Sequence, residues 1–262
     1  MRSPIFMTSK LVKLLLPSLA AFLLTSCENE KETIEVESPQ SYLRPLQPGK
    51  FITYKLDSTV FLQAGRVEET HSYQEKHIVD AVITDNLGRT SYKIYRYLRD
   101  AANMPWRPAG TYVMTPLTNT VEVIEDNMRV VVLAGPVREG QSWRGNQYLA
   151  SEPYSYLYNF SNDNNMGDWN FTIESLGQTE TINDKKINDV LTVRRVEDEL
   201  TNVPIRDKSA FASKTVSVDK FAKGIGLVYQ QHILWEYQPS TGPSSTAYYV
   251  GFGVTRSLLE HN

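Results

Sequence analysis

The stretch Tyr248–Thr255 reads YYVGFGVT, and large apolar or aromatic residues occupy every second position in it. In an extended chain its even-numbered positions (Tyr, Val, Phe, Val) share one face, and its odd-numbered positions (Tyr, Gly, Gly, Thr) share the other. Alternation with a period of two is typical of a β-strand with one face on a core and one toward water. The two glycines on one face, Gly251 and Gly253, indicate tight curvature or the close approach of another element. We therefore predict a curved strand here.

The same alternation runs through most of the chain. Residues 52–56 (ITYKL) and 215–218 (TVSV) also place apolar side chains at every second position. Turn-forming pairs such as Asp126-Asn127 and Asn183-Asp184 separate such segments. Residues 185–195 combine helical spacing with strand-like composition, and we favour a strand. The predicted strands are residues 51–62, 71–83, 90–99, 110–114, 120–125, 129–133, 169–175, 189–197, 214–221, 227–237 and 246–256.

These patterns predict an all-β fold, because no regular alternation of strands and helices is present. Many antiparallel strands in one domain must protect their edges, which sheets do by curling, closing or stacking. We predict a single antiparallel curved sheet or barrel-like domain, with a β-sandwich as the alternative. The predicted organisation is a signal peptide at residues 1–26, a lipidated cysteine and flexible tether at 27–40, and the β domain at 41–262.

The amino terminus predicts export and lipid attachment. Basic residues (Arg2, Lys10, Lys13) precede an uncharged apolar run at residues 14–26. This run is shorter than the roughly 20 residues that span a bilayer, so it fits a secretory signal better than a membrane helix. The segment Leu24-Thr25-Ser26-Cys27 resembles the lipobox of bacterial lipoproteins, which implies cleavage before Cys27 and a lipid on that cysteine. Two or more acyl chains hold a protein stably on a bilayer.

The predicted location is the cell envelope, with the protein anchored to the outer membrane on its periplasmic or cell-surface side. Removing residues 1–26 takes away three positive charges and no negative ones, so the net charge goes from −3 to −6. A negatively charged chain argues against nucleic acid as a partner. The acidic segment Glu28–Glu32 resembles a surface-export signal of Bacteroidota-type lipoproteins, and a solvated linker is the alternative.

Three stretches resemble a group of uncharacterised Bacteroidota-type lipoproteins. They are residues 45–58 (PLQPGKFITYKLDS), 140–146 (GQSWRGN) and 221–229 (FAKGIGLVY). The resemblance implies a β-rich envelope lipoprotein and implies no particular activity.

No motif in the chain predicts a catalytic residue, a metal or a cofactor. The only cysteine is assigned to the lipid. His71 and His77 would lie about 20 Å apart along one strand, too far to bind the same ion. Pairs of carboxylates such as Glu122 and Glu125 could serve a hydrolase only across a cleft, which spacing alone does not establish.

Aromatic residues are the candidate ligand-binding residues. In an extended chain Tyr154, Tyr156, Tyr158 and Phe160 would share one face, and aromatic faces pack against sugar rings and apolar ligands. Covering the core is the alternative role for these residues. Two tryptophans near loop signals, which would line a binding mouth or plug the end of a barrel, complete the set. The predicted ligand-binding residues are Tyr154, Tyr156, Tyr158, Trp106 and Trp143.

We therefore predict a lipid-anchored, non-catalytic binding or carrier module for an apolar or sugar-like ligand or for an envelope protein. The alternatives are a hydrolase that uses carboxylates, and a structural partner of an outer-membrane assembly.

Overall fold

A computed structural model describes residues 37–158, 160–161, 165–200 and 202–262 of the chain. The predicted signal peptide, Cys27 and most of the predicted tether lie outside the described residues. Residues 37–40, which the sequence analysis places in the tether, pack on the domain, and Pro39 is buried there.

Twelve antiparallel strands form one sheet that is almost closed into a barrel. This confirms the all-β prediction and favours the barrel-like arrangement over the β-sandwich. The residues at 185–195 lie within a strand, as expected. The strands are β1 (Phe51–Phe61), β2 (Val67–Thr84), β3 (Thr90–Arg99), β4 (Arg107–Pro116), β5 (Thr120–Glu125), β6 (Met128–Ala134), β7 (Ser142–Trp143), β8 (Phe171–Ile182), β9 (Lys185–Glu199), β10 (Ala212–Ala222), β11 (Gly226–Gln238) and β12 (Tyr248–His261).

Neighbouring strands in the sheet are consecutive in sequence, except that β1 pairs with β12. The open seam lies between β6 and the two-residue strand β7. Two hydrogen bonds bridge it: the Val131 amide donates to the Gly145 carbonyl (2.9 Å), and the Trp143 indole donates to the Val131 carbonyl (2.8 Å). The sheet therefore curls far enough for its two edges to meet.

The predicted turns are present and have the backbone geometry that their residues favour. Asp126 and Asn127 have φ values of 49° and 63°, and Asn183 and Asp184 have 45° and 63°. Positive φ at both central residues suits the twist of a tight hairpin, and Asn and Asp accept it at low cost. These pairs connect β5 to β6 and β8 to β9.

Alternation along the strands separates the inner face of the sheet from the outer face. On β12, Phe252 and Leu258 face inward and are buried. Gly251 faces outward with a φ of 112°, and a Cβ built on it would lie 2.1 Å from the Leu234 carbonyl oxygen. The predicted close approach at this glycine is confirmed, and the partner is the neighbouring strand β11.

The segment 37–50 crosses the end of the sheet at which β4 turns into β5 and β10 turns into β11. It contains a 3-10 helix, Pro39–Tyr42, and Tyr42 is 2% exposed. The Gly224 amide donates to the Ser41 carbonyl at 2.8 Å, and the Gln40 side chain donates to the Leu117 carbonyl at 2.9 Å. This segment closes one end of the barrel-like sheet.

In the described residues, helical structure is confined to the 3-10 helix Pro39–Tyr42 and to single turns at Leu62–Gly65, Ser155–Tyr158 and Met166–Asp168. Tyr154, Tyr156 and Tyr158 do not share one face of an extended run, because residues 155–158 form a helical turn. The turn brings Tyr154 and Tyr158 to the same side, where both pack on Phe252. Among the described residues, no helix has the length and apolar character needed to cross a membrane.

Candidate functional site

A cavity of about 250 Å³ lies inside the barrel-like sheet. The inner faces of the strands supply most of its wall, and the segment 37–50 and the loop between β7 and β8 supply the rest. Exposed lining residues at the end opposite the segment 37–50, among them Asp126 and Tyr158, mark the mouth of the cavity. The apolar part of the wall includes Met114, Val123, Val130, Phe221, Phe252 and Val254.

Glu75 is the centre of a polar cluster beside the cavity. It is 0% exposed, and it accepts a hydrogen bond of 2.6 Å from the Nε of Arg256. Arg96 Nη1 lies 3.4 Å and His77 Nε2 lies 3.3 Å from its carboxylate. Burial alone would raise the pKa of Glu75, but the charge of Arg256 and the hydrogen bonds from Arg256 and His77 hold that pKa well below its usual value. Glu75 is therefore ionised at neutral pH.

The cluster continues across the sheet as a chain of hydrogen bonds. Arg256 donates to Gln230, and Gln230 donates from Nε2 to Asp219 Oδ1 at 2.9 Å. Asp219 also accepts from Arg195. Together with Glu75, these side chains form a network of five residues. They come from β2, β12, β11, β10 and β9, so the network joins five strands. Burial opposes the charge of Arg256, but the pKa of its guanidinium is nevertheless raised by Glu75.

Two histidines face the interior in their neutral form. Burial lowers the pKa of His77, although Glu75 opposes the shift. Burial, with the charges of Arg195 and Arg256, lowers the pKa of His232 to about 3.

Both rings have hydrogen-bonding neighbours. The Tyr112 hydroxyl lies 3.1 Å from His77 Nδ1, which fits a neutral ring that accepts at Nδ1 and carries its proton on Nε2, toward the Glu75 carboxylate. His232 lies 2.9 Å from the Ser217 hydroxyl and 3.0 Å from the Tyr154 hydroxyl. These contacts fix the orientation of both rings at the cavity wall.

Three of the carboxylates at and beside the cavity are paired with cationic side chains. A carboxylate that acts as a general acid needs a raised pKa, whereas that of Glu75 is lowered. Two other carboxylates at the cavity, Glu125 and Asp219, each contact an arginine. Within the described residues, no group of three or more His, Cys, Asp or Glu side chains could hold a metal ion.

The predicted ligand-binding residues separate into two sets. Tyr154 and Tyr158 line the cavity, and the Tyr158 ring stacks on Phe252 with ring centres 3.9 Å apart. Tyr156 is 94% exposed and points away from it. Trp106 lies elsewhere, 4.3 Å from the Arg99 guanidinium, and Trp143 packs in the seam against Phe171. Whether the two tyrosines contact a ligand stays a prediction.

Apart from Glu125, which it named only as part of a possible carboxylate pair, the sequence analysis missed the charged residues of the interior. One signal could have found Arg256, since it has the same parity on β12 as Phe252 and Val254 and must share their inward face. Arg44 gives no such signal, because it lies in a non-repetitive segment.

No protein-family model matches this chain, and no curated protein matches it. Among solved structures, one described as showing lipid–protein interactions in lipovitellin is similar over 83% of this chain, with 10% sequence identity and a TM-score of 0.35. The matched region amounts to 26% of the length of that chain.

Proposed function

We propose that this protein is a lipid-anchored binding module of the cell envelope that holds a small, largely apolar ligand inside its barrel-like sheet. The observation that supports this proposal is the cavity of about 250 Å³, whose wall is apolar over the larger part of its area. The anchor is proposed from the lipobox-like segment that ends at Cys27.

The size of the cavity favours a ligand over a packing defect. Protein interiors are close-packed, and voids larger than a water molecule are few in a domain. A cavity of about 250 Å³ is much larger than such voids. Because it opens to the surface, an apolar ligand that displaces water from its apolar wall gains free energy through the hydrophobic effect.

The position of the mouth also supports binding. The helical turn Ser155–Tyr158 and the β5–β6 turn at Asp126 lie where the cavity meets the surface. A ligand could enter between these two short elements without separating any paired strands.

Photoaffinity labelling tests the proposal. The full-length chain in lipid nanodiscs is exposed to an octan-1-ol derivative that carries a diazirine, and mass spectrometry maps the labelled peptides. We expect labels on inward-facing residues such as Phe252 and Tyr154. Val254→Phe, which fills the cavity from β12, should abolish these labels. Thr255→Phe, which places the same side chain on the outer face of the same strand, should leave them unchanged. Labels confined to outward-facing residues, or equal inner labelling in both variants, would contradict the proposal.

A hydrolase is the second candidate, because Glu125 and Asp219 line the cavity. It predicts turnover of an ester or glycoside that Glu125→Gln or Asp219→Asn abolishes without a loss of folding. If a broad panel of such substrates is not turned over by the wild-type protein, this candidate falls.

A further inference from the structure

We infer that the ligand of the cavity carries one acidic head group and that Arg44 binds it. The ligand class is therefore a small amphipathic carboxylate with an apolar tail. This inference rests on the proposed function, because it specifies the ligand of the same cavity.

Four arginines line the cavity, and three of them have carboxylate partners. Arg256 pairs with Glu75 at 2.6 Å, and Arg96 pairs with Glu125 at 2.7 Å. Arg195 pairs with Asp219. The charge of each of these three arginines is therefore already compensated within the protein.

Arg44 is the exception among the four. It is 8% exposed, and its Nη1 donates to the His77 carbonyl at 3.2 Å. Its Nη2 is shielded from water and has no hydrogen-bond partner among the described residues. No carboxylate in the described part of the chain lies within ion-pair distance of it. A buried charge without a counter-ion is costly, so this guanidinium is poised for an anion that the described residues do not supply.

The fold holds Arg44 in this position. The buried Tyr42 and the hydrogen bond between Gly224 and Ser41 fix the segment just before it. The turn between β10 and β11 packs closely against the backbone of Arg44. A Cβ built on Gly226 would lie 3.3 Å from the backbone nitrogen of Arg44. These contacts hold the backbone of Arg44 in place, and its side chain lies at the cavity wall.

The dimensions of the cavity limit the length of the apolar tail. An engineered apolar cavity of about 150 Å³ binds benzene, which has six carbon atoms. By proportion, a cavity of 250 Å³ holds about ten non-hydrogen atoms. An eight-carbon carboxylic acid has about that size. Its carboxylate can accept two parallel hydrogen bonds from a guanidinium, the geometry that makes such pairs strong and specific.

Competition between two matched ligands tests the inference. The full-length chain in lipid nanodiscs is labelled with a diazirine-bearing octanoic acid at pH 8, where the acid is ionised. Unlabelled octanoate and octan-1-ol then compete for labelling of the cavity peptides. They have the same tail and differ in head-group charge. We expect octanoate to compete about tenfold to a hundredfold better, since a hydrogen bond to a charged group contributes enough free energy for that ratio.

Variants identify the residue responsible. Arg44→Met should bring octanoate and octan-1-ol to within about threefold of each other, whereas Arg44→Lys should retain a preference for octanoate. Arg138→Met removes the same charge from an exposed position and should behave as the wild type. Circular dichroism and thermal unfolding establish that each variant is folded.

The outcomes separate this inference from the proposed function. If octanoate and octan-1-ol compete equally in the wild type, the head-group inference is overturned and the carrier proposal stands. A preference for octanoate that survives in folded Arg44→Met also overturns the role of Arg44. If neither the acid nor the alcohol probe labels the cavity, the proposed function falls as well. The competition between octanoate and octan-1-ol is measured in the wild-type protein. The head-group inference can therefore be tested even if Arg44→Met does not fold.

Discussion

At the scale of single residues, the interior of this protein is defined by ionic groups that are largely or fully buried. Glu75 is 0% exposed, and its carboxylate contacts Arg256, Arg96 and His77. Burying such groups is expensive, and only mutual pairing makes it tolerable. Removing one member therefore costs more than the intact network contributes.

Replacing the central carboxylate tests this argument. Glu75→Gln keeps the shape of the side chain and removes its charge, which leaves Arg256 without its closest counter-ion. We expect the free energy of unfolding to fall by about 3–5 kcal/mol in urea titrations. Glu68→Gln, at an exposed position of the same strand, should change it by less than about 0.5 kcal/mol. Equal effects of the two changes would show that the network is not buried as described.

The neutral histidines make stability depend on pH. The pKa of His232 is lowered to about 3 in the folded chain. Between pH 6.5 and 3 the unfolded chain therefore binds a proton at this position that the folded chain does not. Stability should fall on acidification in this window, by up to about 1.4 kcal/mol per pH unit. Below about pH 4.3 the lowered pKa of Glu75 acts in the same direction.

His232→Gln should reduce this slope. Urea midpoints at pH 7, 6 and 5 would decline less in the variant than in the wild type, because one source of proton uptake on unfolding is gone. His71→Gln, in which an exposed histidine is replaced, should keep the wild-type slope. Parallel declines in the wild type and His232→Gln would contradict the assignment of a neutral, buried ring.

At the scale of elements, β12 shows how local backbone geometry produces curvature. Its inward side chains are large and apolar, except for the paired Arg256. On the outward face, Gly251 lets β11 approach closely, and Gly253 lets Thr59 of β1 approach closely. The Leu234 carbonyl occupies the place of a Cβ at Gly251, and the positive φ there suits only glycine.

Gly251→Ala should therefore be strongly destabilising. The added methyl group meets the backbone of β11 in a conformation that alanine disfavours, and we expect a loss of about 3 kcal/mol or more in the free energy of unfolding. Gly242→Ala is the matched control, since nothing lies within 4 Å of a Cβ at that glycine and its φ is not positive. A loss below about 1 kcal/mol for Gly251→Ala would mean that the strands separate easily at this point.

At the scale of the whole molecule, the first and last strands pair with each other. The β1–β12 pairing runs from Ile52 opposite His261 to Thr59 opposite Gly253. The segment 37–50 leads into β1 at the closed end of the sheet, and the mouth of the cavity is at the other end. A chain tethered through its amino terminus would therefore attach at the end remote from the mouth.

The anchor itself can be tested in cells. Cys27→Ala should lose incorporation of a metabolic fatty-acid probe and should leave the membrane fraction, because no acyl chain can then be attached. Ser26→Ala, which keeps a small residue beside the cysteine, should be labelled as the wild type is. Equal labelling of Cys27→Ala and the wild type would refute lipid attachment at this residue.

The sequence by itself indicated most of the strands and the turns between them, because these depend on neighbours within a few residues. It did not indicate the two-residue strand β7, and it left a β-sandwich open as the alternative to a barrel-like sheet. The alternation in Tyr248–Thr255 and the pair Asp126-Asn127 each contain the physical information for their own local geometry. The aromatic run after Tyr154 marks the limit of this reasoning. Its residues suit a strand, but packing of Tyr154 and Tyr158 on Phe252 stabilises a helical turn instead.

Only the tertiary structure decided the cavity and its charges. Glu75 and Arg256 are separated by 181 positions, and they meet because β1 lies between β2 and β12 in the closed sheet. Whether a charged residue is paired or left without a partner depends on such distant neighbours. That Arg44 has no carboxylate partner among the described residues could therefore be recognised only from the tertiary structure.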